Sequence, residues 1–192
     1  DFLLASPVEP KHFFVKGKVV LRGQWKSIAS YGPLRMRINE FLNITARRFL
    51  GITRSMNLLL QTKSAQKAGL LKKYYRIPHV PHPIRTVTLQ RFFAEHEDDF
   101  VENIKHRFRS TEQFSGVYLA HHLEIKQKNA VLKGTGKIVM INGETDISRI
   151  IRHKVQRIKR GRVRFLCIQG LERLAETDRK LLDETLKELV QD

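Results

Sequence analysis

Four histidines stand in pairs: His79 and His82 three residues apart, His121 and His122 adjacent. Neutral imidazole binds metals, and its ordinary pKa suits acid–base work near neutrality. Zinc needs several convergent nitrogen, sulfur or carboxylate ligands, and the chain has a single cysteine, Cys167. Cys167 lies in an apolar run and reads as a small buried hydrophobe, with no internal disulfide to make. On an extended strand, adjacent side chains point to opposite faces, so His121 and His122 do not converge. The expectation is no metal and no cofactor. His96 sits among Glu95, Glu97, Asp98, Asp99 and Glu102, a composition that could serve acid–base chemistry. A block of carboxylates with no Lys or Arg among them fits a solvated acidic loop, or a contact for a basic protein, better. "GTGK" (134–137) lacks the spacing of a phosphate-binding loop and reads as a turn, and neither G-x-G-x-x-G nor H-E-x-x-H occurs. Phe92, Phe93 and Phe100 could stack on bases, as aromatics do in single-strand binders, but core packing explains them more simply. No enzymatic activity is expected.

The chemistry that the spacing does support is electrostatic. The formal net charge is +17, from 36 Lys+Arg against 19 Asp+Glu. Such a charge repels itself and calls for a counter-charged partner, nucleic acid before an anionic membrane surface. Signs are segregated rather than mixed. Residues 1–94 hold only three acids (Asp1, Glu9, Glu40), and residues 148–164 hold none. That last stretch carries Arg149, Arg152, Lys154, Arg157, Lys159, Arg160, Arg162 and Arg164, the expected RNA-contacting strip. Arg35, Arg37, Arg47, Arg48, Lys72 and Lys73 are expected to add to it. Lys and Arg at phosphates give affinity with a steep salt dependence and little sequence reading. Glu95, Glu97, Asp98, Asp99 and Glu102 are expected to meet protein.

The elements that must position these residues are read from periodicity. Residues 12–23 alternate partly and predict a strand over 13–22. After Gly32-Pro33, the residues Leu34, Ile38, Phe41, Leu42, Thr45 and Phe49 share one face of a helix over 34–49, closed by Gly51. "LLLQTKSAQKAGLLKKYYR" reads as a basic, helical insertion. Three prolines between 76 and 85 keep that segment extended. Residues 84–93, 117–127 and 136–143 predict strands. Residues 143–161 predict a helix with Asp146 as N-cap and Ile147, Ile150, Ile151, Val155 and Ile158 as the buried stripe. Residues 162–168 predict a strand, with Val163 and Phe165 on one face and Arg162 and Arg164 on the other. Residues 171–190 predict a closing helix on Leu174, Leu181, Leu182, Leu186 and Leu189. This order is that of an α+β protein, a ferredoxin-like sandwich with two helices on one sheet face and the other face open. No apolar stretch reaches the roughly 20 residues of a membrane span. The opening "DFLLASPVEP" fits the processed N-terminus of an organellar protein.

In this order the chain resembles the ribosomal protein S-ten family, mitochondrial forms above all. "KVVLRGQWKSIASY" with "INEFLNITARRFLGI" is similar to the family's first strand, loop and helix. "PHPIRTVTLQRF" is similar to its proline-led strand, and "NGETDISRIIRHKVQRIKRGRVRFLCI" to its second helix and last strand. The acidic closing helix is similar to C-terminal tails of mitochondrial members. About half of the chain takes part. The resemblance implies an S-ten-like domain over 12–169, with insertions near 53–83 and 110–135, an extension over 1–11 and a helix over 170–192. It implies a structural constituent of the mitochondrial ribosome, in the matrix, bound to ribosomal RNA and neighbouring ribosomal proteins with no small-molecule substrate. Where bacterial members carry a basic hairpin tip, this chain reads "FFAEHEDDFVEN", so both the small-subunit protein and its large-subunit relative numbered forty-eight fit. A free-standing organellar RNA-binding or RNA-processing factor is the alternative.

Overall fold

A computed structural model describes residues 2–28, 41, 56–108, 110 and 112–191. The expected helix over 34–49 lies outside the described residues, apart from Phe41, which is helical and exposed. The chain is mixed α+β and divides into two compact units.

The first unit joins residues 1–12, 78–81 and 135–192. Its sheet has the order β1 (Phe2–Leu4), β8 (Phe165–Gln169), β7 (Ile138–Asn142). β7 and β8 are parallel and in direct contact, with Ile138 opposite Phe165 and Asn142 opposite Gln169. Parallel neighbours need a crossover, and α5 (Ser148–Lys159) supplies it. β1 runs antiparallel along the free edge of β8, so the expected N-terminal extension is part of the sheet. Val139, Ile141, Val163 and Leu166 form one core with Ile151, Val155 and Ile158 of α5 and Leu182 of α6 (Glu176–Gln191). Leu174, Leu181, Leu186 and Leu189 pack on its border, as their spacing predicts.

The second unit joins residues 13–77 and 82–134. It opens with a hairpin. β2 (Phe14–Val15) and β3 (Lys18–Arg22) are antiparallel and joined by Lys16 and Gly17, both at positive φ (49° and 73°). Two left-handed residues give the strand twist that a tight hairpin requires. β3 also pairs in parallel with β6 (Ala130–Lys133), and as the central strand it buries Val19, Val20 and Leu21 in succession. Among the described residues β4 (Gln24–Ser27) pairs with β5 (Lys73–Arg76) alone. Among the described residues the unit also holds the helices α1 (Met56–Lys67), α2 (Thr86–Glu95), α3 (Glu97–Ile104) and α4 (Gly116–Lys126), besides helical Phe41. Ala65 and Ser64 of α1 are fully buried, and the Ser64 hydroxyl bonds Leu60 O within the helix and Ser115 O at the start of α4. Such small side chains let helix backbones come close.

Several expectations are corrected. The strand expected over 84–93 is not formed: Thr86–Glu95 is helix α2, with Thr88 and Phe92, four apart, as its buried residues. Residues 117–127 form helix α4, and it is buried from Tyr118 to Glu124, so no polar face marked its period. The strand over 13–22 is the β2–β3 hairpin. The stretches read as insertions contain α1, β5, α4 and β6, and Ala65, Tyr74, Leu119 and Leu123 among them belong to the core of the second unit. The acidic block is helical, with Glu97, Asp98 and Asp99 in the first turn of α3, where the helix dipole favours them. Asp146 does not cap α5; Ile147 holds that position, and the Asp146 carboxylate takes Asn142 N–H at 2.8 Å instead. Ile147 and Ile150 are exposed, so the buried stripe narrows to Ile151, Val155 and Ile158. On the side of the first unit's sheet away from α5, Phe165, Cys167 and Ile138 are buried, whereas Phe2 and Leu4 of β1 are half exposed. β7 and β8 have no third strand between them, as a split β-α-β unit requires.

Candidate nucleic-acid interface

The basic run begins at α5. Its apolar residues Ile151, Val155 and Ile158 fix which way the helix faces, and the polar residues divide accordingly. Along one flank, Ser148 Oγ donates to Asp178 Oδ2 at 2.6 Å, and Lys159 Nζ meets Glu188 at 2.8 Å, both on α6. Along the other flank, Lys154 Nζ meets Asp146 Oδ2 at 2.6 Å, and Arg157 Nη2 donates to Gly136 O at 2.8 Å. These cations are engaged within the fold. Opposite the buried stripe lie Arg149, Arg152, His153, Gln156 and Arg160, which helical geometry gathers within about 100° of arc over roughly 16 Å. All five are exposed, and among the described residues no side-chain partner holds the three arginines. Arg162 continues the crest past Gly161, whose positive φ (63°) turns the chain toward β8. Arg164 is different: half-buried, its Nε is enclosed without a hydrogen-bond partner.

Two features of this crest are poor choices for stability. Arg149 stands in the first turn of α5, which contains no acid, although a helix N-terminus disfavours a cation by about 0.3–1 kcal/mol. Arg149, Arg152, Arg160 and Arg162 also follow one another along one exposed edge with no carboxylate in the intervening sequence. Both features suit a surface that meets external negative charge.

The remaining expected residues fall elsewhere. Lys72 and Lys73 are exposed at the start of β5, in the other unit. Arg35, Arg37, Arg47 and Arg48 lie outside the described residues. On the acidic side, Glu95, Glu97, Asp98 and Glu102 are exposed on α2 and α3. Asp99 is ion-paired with Lys67 of α1, and Glu102 with Lys105. Phe92 is buried with Phe114, Leu119 and Leu123, and Phe93 packs against them, as core packing predicts. Phe100 stands edge-on to Phe93 at 5.1 Å and keeps much of its surface in solvent.

His121 and His122 are fully buried on α4, and burial holds their pKa values down to about 3 and about 4. Their roles follow from their partners. His122 Nδ1–H donates to Tyr118 O at 2.7 Å, and its Nε2 accepts from Tyr75 N–H at 3.3 Å. His121 Nε2–H donates to Pro83 O at 3.1 Å, while the His82 ring lies 5.1 Å from it. These are neutral core imidazoles. Among the described residues no three His, Cys, Asp or Glu side chains gather as a metal site would need, and no helix is long and apolar enough to cross a membrane. No protein-family model matches the chain, and no curated protein does so.

One surface residue escaped the periodicity. Trp25 is the only tryptophan of the chain and stands 45% exposed on β4. Its polar neighbours in "GQWKS" were the available signal, since a core strand rarely sets tryptophan between glutamine and lysine.

Proposed function

We propose that this chain is an RNA-binding structural protein that grips the RNA backbone along the α5 crest. The observation that carries the reading is the split behaviour of one basic run. Lys154, Arg157 and Lys159 are tied into the fold, whereas Arg149, Arg152, Arg160 and Arg162 line one exposed edge without partners among the described residues. A net charge of +17 adds long-range attraction for a polyanion. The resemblance to the ribosomal protein S-ten family supports the further step: a constituent of the mitochondrial ribosome, in the matrix, seated on ribosomal RNA and against other ribosomal proteins. Contacts to backbone and shape, rather than to base edges, are what such a crest offers.

The test has two arms. Arg149→Ala, Arg152→Ala and Arg160→Ala together should lower the slope of log K against log salt by about 2–3 for an RNA ligand, since each phosphate contact contributes about 0.7–0.9. Far-ultraviolet circular dichroism should stay as in the parent protein. An unchanged slope would make the crest a merely solvated face. On sucrose gradients of mitochondrial lysate the chain should travel with a ribosomal subunit and stay there in moderate salt. Release into the light fractions would instead point to the free-standing RNA-binding or processing factor.

A further inference from the structure

We infer that Trp25 is a stacking platform for an unpaired base of single-stranded RNA, with Lys73, exposed on the same face of the β4–β5 sheet, and Lys72 just before it serving the flanking phosphates. The inference rests on the RNA-binding reading and adds a second contact, in the other unit, of a different kind.

Strand geometry sets the platform. The register pairs Trp25 with Tyr75 and Ser27 with Lys73, so these four share one face of the two-stranded sheet. Gln24, Lys26, Tyr74 and Arg76 take the other. Tyr75 is buried and doubly anchored: its hydroxyl donates to Lys133 O at 2.8 Å, and its backbone N–H donates to His122 Nε2 at 3.3 Å. Its ring meets the indole at 5.4 Å and 69°, an edge contact that supports Trp25 without covering it. At Gly23, a Cβ would stand 2.3 Å from Arg76 O and 2.8 Å from the Tyr75 ring, so the strand that carries Trp25 is pressed against this support. The indole is held in place, with nearly half of its surface left in solvent.

The surrounding charge identifies the occupant. β4, β5 and α1 contain no Asp or Glu, and between Pro10 and Ala94 the only carboxylate is Glu40. Lys26, Lys72, Lys73 and Arg76 are exposed, and among the described residues no acid pairs with them. A protein-docking tryptophan is usually ringed by apolar or neutral contacts that exclude water. Here the exposed neighbours of Trp25 on its own face are Ser27 and Lys73, while Gln24, Lys26 and Arg76 add charge and polarity on the other. Exposed aromatic surface within a cationic field is the composition by which proteins hold single strands: bases stack and phosphates are neutralised. A duplex keeps its bases stacked inside and offers the indole nothing.

Because Trp25 is the sole tryptophan, its fluorescence reports on this position alone. The full-length chain would be titrated with an oligouridylate of about 12 nucleotides, an RNA duplex of equal length and an oligothymidylate, with the anisotropy of labelled strands read in parallel. Oligouridylate should quench Trp25 saturably, at the concentrations where anisotropy rises, and the duplex should bind without quenching. Trp25→Ala should weaken oligouridylate binding about tenfold. Trp25→Phe, which keeps a ring, should keep most of the affinity, and Lys73→Ala should lower the salt slope by about 0.7. Binding by anisotropy with unchanged emission, and unchanged affinity in Trp25→Ala, would overturn the platform while leaving the α5 reading intact. No anisotropy change with any RNA would overturn both. Equal quenching by the duplex would overturn the single-strand assignment, and equal affinity and quenching with oligothymidylate would overturn the restriction to RNA.

Discussion

His121 and His122 show how one residue type changes meaning with its element. Read on a strand, the two rings point apart and have no common purpose. On α4 they are both interior, each donating to a backbone carbonyl, with His121 Nδ1 enclosed without a hydrogen-bond partner, and both are neutral because the low-dielectric surroundings penalise the imidazolium. The sequence displayed the histidines but not the burial that decides their state. That state has a consequence for stability. Both pKa values are depressed in the folded chain from an ordinary 6.5, to about 3 and about 4. Below pH 6.5 the unfolded chain therefore binds protons that the folded chain refuses, and stability falls as pH falls. The loss continues until the folded values are reached. Between pH 6.5 and 5 each histidine should remove up to about 1.4 kcal/mol per pH unit. Urea midpoints measured at pH 7, 6 and 5 should drop accordingly. His122→Gln should flatten the trend, at some cost in stability at pH 7; an equally steep trend in that variant would assign the acid sensitivity to other groups.

Elements were legible where one face is wet. α5 and α6 alternate apolar stripes with charge, and β8 follows a glycine turn, so their positions could be read from spacing alone. α2 and α4 could not. "TVTLQRFF" is rich in β-branched and aromatic residues, which favour strands locally, yet tertiary packing of Thr88 and Phe92 makes it a helix. Glu124 of α4 then fastens the two helices together: almost fully buried, it accepts the Thr88 hydroxyl and stands 3.5 Å from Arg85. Glu124→Ala should cost about 2 kcal/mol, since it leaves a buried hydroxyl without its acceptor. Glycines give a sharper case in the first unit. At Gly143, just after β7, a Cβ would stand 2.0 Å from Gly170 O, a backbone atom that cannot turn aside. The close approach is part of the hydrogen-bonded junction of Gly143 N with Gln169 O, at 2.9 Å. Gly143→Ala should therefore destabilise the protein by about 1–3 kcal/mol, as overpacking does. Gly136→Ala, where a Cβ meets nothing within 4 Å, should lie within about 0.5 kcal/mol of the parent. Thermal melts of both variants compare the two sites directly.

At the scale of the whole molecule the charge is sorted by element. Acids concentrate on α3 and α6, while β4, β5, α1 and α5 carry none. This sorting was visible in the sequence; its division between engaged and exposed cations was not, because it depends on which flank of α5 each side chain occupies. The family resemblance and the charge disagree about one place. Under the proposed S-ten reading, the place of the bacterial family's basic hairpin tip would fall to α3, whose first turn is Glu97, Asp98 and Asp99. Phosphate would be repelled by these carboxylates. Lys67 already compensates Asp99, and Lys105 compensates Glu102, but Glu95, Glu97 and Asp98 are exposed. α3 also exposes Val101 and Ile104, which gives a basic protein segment apolar footing as well as charge. Ultraviolet cross-linking of the RNA-bound chain, read by mass spectrometry, should therefore place adducts in the peptides around α5 and β4–β5 and none in the peptide spanning Glu95–Ile104. Protein cross-linking should show the converse, with lysines of a neighbouring protein joined to the acids of α3. Replacing Glu97, Asp98 and Glu102 by Lys should then release that neighbour and leave RNA affinity equal or higher, since electrostatic complementarity governs which partner is admitted. RNA adducts on α3 in the parent protein would show that the hairpin analogy, and not the charge, locates this helix.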